Sequence, residues 1–406
     1  MRRTLHLFYL YTCLSGLTFS WTTWFAFVAA RGGNPGWAES AFHIAILLGE
    51  VPTGVVADLL GRGRSMLIGL VLNALSLFCY PLITGTVSAC LVLGLSGLSL
   101  TFLSGADTAL LYEAASAVGG EDLARRSLAR ASALQMAALA AAPVAAGWLY
   151  QQHPLAPFLA QGLLTLLAAV AVWRMAEPHP ERSAALQTER ENAPQPQQTT
   201  DPQPGGVRPS PWRHARAALV LLRRQPALLG MIAFAWAYDA AASMVSQFGQ
   251  VYLPALGLSM LRTGMVFSLA RLLGALGGWV AGRMTGPGAT RWLRWGPLAQ
   301  AACLLAMGTA RPSAGVAGLA LNEGMDGLVN PLLSARINQA IPSEQRATVL
   351  SFQSLGASLL VAIAFPAAAA LPAVEWVYLL TGGALAAAAL AWALRRQPAG
   401  GSADDR

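Results

Sequence analysis

Long apolar stretches broken by short polar interruptions run the length of this chain, and the stretches have the length of a bilayer crossing, about 20 residues each. Twelve such spans are predicted: 5–29, 38–60, 64–84, 87–117, 127–150, 155–176, 226–254, 260–284, 291–310, 313–339, 345–370 and 374–394. They fall into six, a polar gap, and six. The pattern predicts an all-α polytopic membrane protein with an N-terminal six-helix bundle over 1–176, a linker over 177–225, a C-terminal six-helix bundle over 226–395 and a tail over 396–406. Within the gap, Pro194, Pro196, Pro202, Pro204, Pro209 and Pro211 prevent a continuous helix, and the surrounding Gln, Glu and Arg predict a flexible linker. From Trp212 to Arg224 the chain turns cationic and amphipathic, which predicts a short helix lying on the membrane surface. A continuation of the seventh span is the plainer alternative. Arg2 and Arg3 before the first apolar run imitate a secretory signal, but the length of that run and the eleven spans after it favour a retained helix.

Composition agrees with the pattern: 55% of the 406 residues are hydrophobic and only 11% charged. The net charge of +8 is carried by arginine, since the chain contains no lysine. Most of these arginines, Arg62, Arg64, Arg125, Arg126, Arg283, Arg291, Arg294, Arg336, Arg346, Arg395 and Arg396 among them, fall on one side of the predicted spans, and only Arg31, Arg262 and Arg311 on the other. That asymmetry follows the positive-inside rule and places both termini in the cytoplasm, with the bilayer rather than nucleic acid as the partner of the basic charge. A phosphate loop ending in lysine is impossible here, and the five histidines and four cysteines lack metal-ligand spacing, so no enzyme activity, cofactor, metal or disulfide framework is expected.

One polar interruption is specific. Glu50-Val-Pro-Thr-Gly54-Val-Val-Ala-Asp58-Leu-Leu-Gly61-Arg62-Gly-Arg64 joins the second and third spans. If the second helix runs on through this stretch, Asp58 and Arg62 share a face and can pair; Gly54 and Gly61 suit tight helix approach and a sharp turn. The run resembles the Gly-x-x-x-Asp-x-x-Gly-Arg loop of the major facilitator superfamily, departing from it at Leu59 and Gly63, where that family carries cations; Arg64 stands beside the gap. Ser104-Gly-Ala-Asp107-x-Ala-Leu-Leu-Tyr112-Glu113 and Pro342-Ser-Glu344-x-Arg346 extend the resemblance to a bacterial subset of that superfamily, although Ser343 also reads simply as a helix cap. The resemblance implies parallel six-helix halves around a polar cavity, alternating access by rocking, a small-molecule substrate, a monomer in the bacterial inner membrane, and a charge cluster of Asp58, Arg62 and Glu113 that holds the outward-open form. Internal correspondences near an offset of 220 agree with two halves: Gly54-x-Val56-Ala57-Asp58 with Gly278-x-Val280-Ala281-Gly282, Gly105-x-Asp107 with Gly324-x-Asp326, and Arg126 with Arg346.

Ionisable residues within spans cost about 2.5–3.5 kcal/mol on insertion scales and persist where they face protein or water. Six qualify: Glu50, Asp107, Asp239, Arg271, Glu323 and Asp326. Glu323 and Asp326 lie one turn apart, where two carboxylates resist simultaneous ionisation and suit a proton carrier. Asp239 and Arg271 lie at similar depth on neighbouring spans and can pair. Each acid can equally lock the bundle by hydrogen bonding a neighbouring helix. Trp21, Trp24, Phe25, Trp236, Tyr238, Gln247 and Tyr252 are candidates to line a cavity, and Asn73, Asn322 and Asn330 to bridge helices. The functional expectation is proton-coupled export of small molecules; import of a polar nutrient and a transport-inactive receptor or lipid-handling protein are the alternatives.

Overall fold

The computed structural model describes residues 2–175, 225–342 and 345–394. The predicted linker, its surface helix, the C-terminal tail and the Ser343 cap lie outside these residues. Thirteen α-helices and no strand occur among the described residues. In chain order they are α1 (Arg2–Gly16), α2 (Trp24–Ala30), α3 (Pro35–Leu60), α4 (Arg62–Phe78), α5 (Thr86–Leu103), α6 (Ala106–Gln152), α7 (Ala156–Trp173), α8 (Pro226–Ala255), α9 (Met260–Ala281), α10 (Gly286–Met307), α11 (Pro312–Ala340), α12 (Arg346–Ala369) and α13 (Val374–Leu394). Most follow the predicted spans, but α6 runs through the fourth and the fifth and through the segment between them. The chain divides into two compact units, Met1–Leu221 and Leu222–Arg406.

Helix starts follow the local sequence. Asn34 caps α3, its Oδ1 accepting from the N–H groups of Gly36 at 2.9 Å and Trp37 at 3.3 Å, and Pro35 occupies the first helical position, where no amide hydrogen is needed. Ser259 caps α9 through the Arg262 N–H. Seven helical stretches are long and apolar enough to cross a membrane. The long helices outside that set, α3, α10 and α11, are those loaded with polar and charged residues.

Two predicted spans are not continuous. The first breaks after Gly16 into α1, a 3-10 turn (Ser20–Thr22) and α2. Gly16 packs tightly against α6, where an added Cβ would stand 2.7 Å from the Ala138 Cβ, and the freed Ser20 N–H is satisfied by the Gln161 Oε1 of α7 at 2.6 Å. Four hydroxyl residues between Thr18 and Thr23 offer the backbone alternative partners there. The fourth span breaks at Ser104–Gly105, and the loop expected before the fifth is replaced by a bend inside the long α6. That bend sits at Gly119 and Gly120; Gly120 has φ 72°, a conformation other residues adopt only under strain.

Within the N-terminal unit α3 packs on α5, α4 on α5 and α7, and α1 on α6 and α7. The C-terminal unit repeats the scheme, with α9 on α11, α10 on α11 and α13, and α8 on α12 and α13. The α9–α11 contact is backbone to backbone: a Cβ at Gly327 would lie 2.0 Å from the Gly274 carbonyl oxygen, and one at Gly277 would lie 2.4 Å from that of Gly324. In the other unit, a Cβ at Gly97 of α5 would lie 2.3 Å from the Phe42 carbonyl oxygen of α3. Small residues at such positions are what let helices associate where the surrounding lipid supplies no hydrophobic drive. The tight approach expected at Gly54 is absent, since a Cβ there meets nothing within 4 Å.

Gly327→Ala should therefore destabilise the C-terminal unit by about 1–3 kcal/mol, the cost of overpacking, read as a lowered melting temperature in detergent. Gly54→Ala should leave the melting temperature unchanged within error; equal losses at both positions would remove the close contact as the cause.

Candidate functional site

The specific loop is built on a turn rather than a helix. Gly61 has φ 92°, which ends α3 at Leu60 and starts α4 at Arg62. The second helix does not run on, so Asp58 and Arg62 do not share a helical face as the spacing suggested. Released from α3, Arg62 donates from Nη1 to Glu113 Oε1 on α6, the partner expected from the resemblance. Arg64 is exposed, and the side chain of Asp58 lies outside what is described.

Asp107 follows Gly105, whose φ is 75°, and its Oδ1 accepts from the Thr108 N–H at 2.6 Å and the Thr108 hydroxyl at 3.1 Å. It opens onto a cavity of about 100 Å³ between α1 and α6, lined also by Tyr11, Thr12, Ser15, Ser132 and Gln135. Glu50 is exposed on α3. Trp24, 4% exposed, is part of the packed interior of its unit and stands edge-on to Phe25, while Trp21 is exposed.

In the C-terminal unit the expected Asp239–Arg271 pair does not form. Arg271 Nη1 donates to Glu323 Oε2 at 3.3 Å, and Nη2 to the Ser246 hydroxyl at 3.4 Å. The cause is the glycine contact, which presses α9 against α11 and delivers Arg271 to Glu323 one turn from Gly327. Asp239 instead accepts from Asn330 Nδ2 at 3.3 Å. Asp326 sits on α11 with Oδ1 buried and unbonded. Beside it, Asp239 and Gln300 also surround the Tyr238 hydroxyl. Tyr238, Gln300 and Asn322 are all 0% exposed; the Tyr238 hydroxyl stands between Asp326 and Gln300, and neither terminal atom of Asn322 makes a hydrogen bond to the protein. Trp236 donates from Nε1 to the Gln353 carbonyl at 2.7 Å; Gln247 is buried and accepts from Gln250.

Two features escaped the sequence reading. Gln300 belongs to the buried polar cluster, and only its position between apolar neighbours on α10 hinted at it. Glu39, 3% exposed, meets His43 one turn along α3, with Nε2 to Oε1 at 3.5 Å. The four-residue spacing of an acid and a histidine was the available signal.

The sequence profile of the Major Facilitator Superfamily matches residues 8–322. The chain belongs to this superfamily. Among solved structures, the nucleoside transporter NupG superposes with a TM-score of 0.71 at 14% identity, covering 96% of this chain and 97% of its own. The POT family transporter PepTSo gives 0.68 at 13% identity, covering 97% of each chain. The xylose transporter XylE from E. coli gives 0.67 at 13% identity, covering 98% of this chain and 97% of its own. A search of curated proteins by sequence found no match. At such identities the likeness is one of fold: this is an integral membrane protein with the architecture of a facilitator transporter.

Removing one member of a partly buried ion pair leaves the other unpaired, which costs more than removing both. Glu323→Leu should accordingly lower the melting temperature more than the double variant Arg271→Leu/Glu323→Leu, with a coupling energy of about 0.5–3 kcal/mol in a double-mutant cycle. Strictly additive losses would show that the two side chains do not interact.

Proposed function

We propose that this protein is a secondary active transporter that works by alternating access and exports a small molecule in exchange for protons. The observation that carries the reading is the group on α8, α9 and α11. An arginine, two carboxylates one turn apart and a third carboxylate held by Asn330 are gathered in one bundle of apolar helices, where each charge is costly unless it is used. Arg271 occupies Glu323 and leaves Asp326, with one carboxylate oxygen unbonded, as the acid free to take a proton. Export of a partly apolar molecule is favoured over uptake of a polar nutrient by the exposed aromatic side chain of Trp21. Uptake remains the second reading, favoured by the hydroxyl- and amide-lined Asp107 cavity. The arginine distribution orients both termini to the cytoplasm.

The Arg62–Glu113 pair fits a latch. It joins the α3–α4 turn to α6 through side chains 42% and 32% exposed, so it lies near water, where it can break and re-form. With Asp58 it would bias the equilibrium between the two access states rather than build the core.

A resistance and uptake screen of a deletion strain would identify the cargo. With a cargo in hand, Asp326→Asn, a mimic of the permanently protonated acid, should abolish accumulation driven by a pH gradient in proteoliposomes while sparing exchange of cargo across the membrane, which needs no net proton movement. Undiminished gradient-driven accumulation would make Asp326 a structural acid and leave Asp107, Asp239 and Glu50 as candidates.

Asp58→Asn should reduce both gradient-driven transport and exchange at least tenfold, since it acts on the conformational step that both share, with membrane expression near that of the unaltered protein. Transport at the unaltered rate would exclude the loop from the mechanism.

A further inference from the structure

A second cavity, of about 590 Å³, lies in the N-terminal unit at the end of the bundle that carries the amino terminus. His6 and Tyr9 of α1 form one side and Arg126 and Arg130 of α6 the other. Arg126 and Arg130 are four residues apart and project from one helical face. Asp122 is the carboxylate in the lining, and it is already held by Arg125 Nη2 at 3.0 Å. Neither Arg126 nor Arg130 has an ion-pair partner among the described residues. The remaining wall is apolar, from Leu5, Val118 and Leu123. The bend at Gly119–Gly120 turns the chain at the rim and brings Val118 and Arg126 to the same opening.

We infer that this cavity binds an amphiphilic anion, a phosphate or carboxylate group taken by Arg126 and Arg130 with its apolar body against Leu5, Val118 and Leu123. Two guanidinium groups presented together favour an oxyanion, because their planar donors meet two oxygens at once. His6 and the Tyr9 hydroxyl supply further donors. The site lies end to end with the Asp107 cavity along the same two helices: α1 contributes His6 and Tyr9 to one and Tyr11 and Thr12 to the other, and α6 contributes Arg126 and Arg130, then Ser132 and Gln135. From Arg126 to Gln135 is about 13 Å along the helix. An anion bound here therefore stands one short step from the polar cavity of the same unit. Two sources offer this chemistry, a soluble organic anion and an anionic phospholipid.

The full-length protein in phosphatidylcholine nanodiscs should bind octyl phosphate measurably tighter than inorganic phosphate or octyltrimethylammonium in isothermal titration. Arg126→Gln/Arg130→Gln should weaken it by roughly tenfold or more, since each lost charge-assisted hydrogen bond is worth about that much. Asp122→Asn should tighten it, because a negative charge in the lining that repels the anion is removed; this arm holds even where the double variant folds poorly. Native mass spectrometry separates the sources. Retention of phosphatidylglycerol by the unaltered protein but not by the double variant assigns the site to a bilayer lipid, and octyl phosphate binding without that retention assigns it to a soluble anion. Equal affinity for octyl phosphate in the unaltered protein and the double variant, or equal binding of octyltrimethylammonium, would overturn the assignment.

Discussion

At Gly274 and Gly327 two helix backbones meet with no room for a side chain between them, and the chemistry of the C-terminal unit depends on that contact. It brings α9 close enough to α11 for Arg271 to reach Glu323 at 3.3 Å. With Arg271 committed, Asp239 turns to Asn330 and Asp326 keeps an unbonded oxygen. The charges of this bundle are thus distributed by steric fit as much as by attraction. A β-carbon at Gly327 or at Gly277 would separate the helices and lengthen the ion pair. The related contact of Gly97 with Phe42 makes α3 and α5 neighbours in the other unit in the same way.

Much of this was legible in the sequence because it is local. Span length, the loop after α3 and the acids inside spans follow from counting residues along one helix or matching a short run, and most helices lie where the apolar pattern puts them. The breaks were less legible. The interruption after Gly16 depends on Gln161, 141 residues away, whose amide oxygen receives the backbone N–H that the break exposes. Gly105 and Gly120 announce a possible left-handed turn, but glycine also sits inside continuous helices here, as Gly324 does in α11. The two halves share a Gly-x-Asp pattern at these places, yet only Gly105 turns left-handed.

Pairing between spans was the least legible part. Similar depth made Asp239 and Arg271 plausible partners, but depth fixes one coordinate and leaves the rotation of each helix open. That rotation is set by glycine faces and by which neighbour packs closest. Burial was hidden for a related reason. Gln300 and Asn322 are unremarkable in a polar-sprinkled span, and only the packing of α10 on α11 encloses them completely. Where such amides find no protein partner, ordered water is the usual answer, so this interior should be wetter than its composition suggests.

The segment from Ala106 to Val118 is bounded at both ends by glycines with positive φ, Gly105 and Gly120. Between these pivots an uninterrupted helix carries Asp107 near one end and Glu113 farther along, about 9 Å apart. A hydrogen-bonded helix of this length resists bending far more than its glycine ends do, so it behaves as a crank. Any rotation imposed at the Asp107 cavity is delivered to the carboxylate that holds Arg62. The Asp107 cavity and the Arg62–Glu113 pair are in this way carried by one stiff part, so a turn of this helix would move both without a chain of rearranged side chains between them.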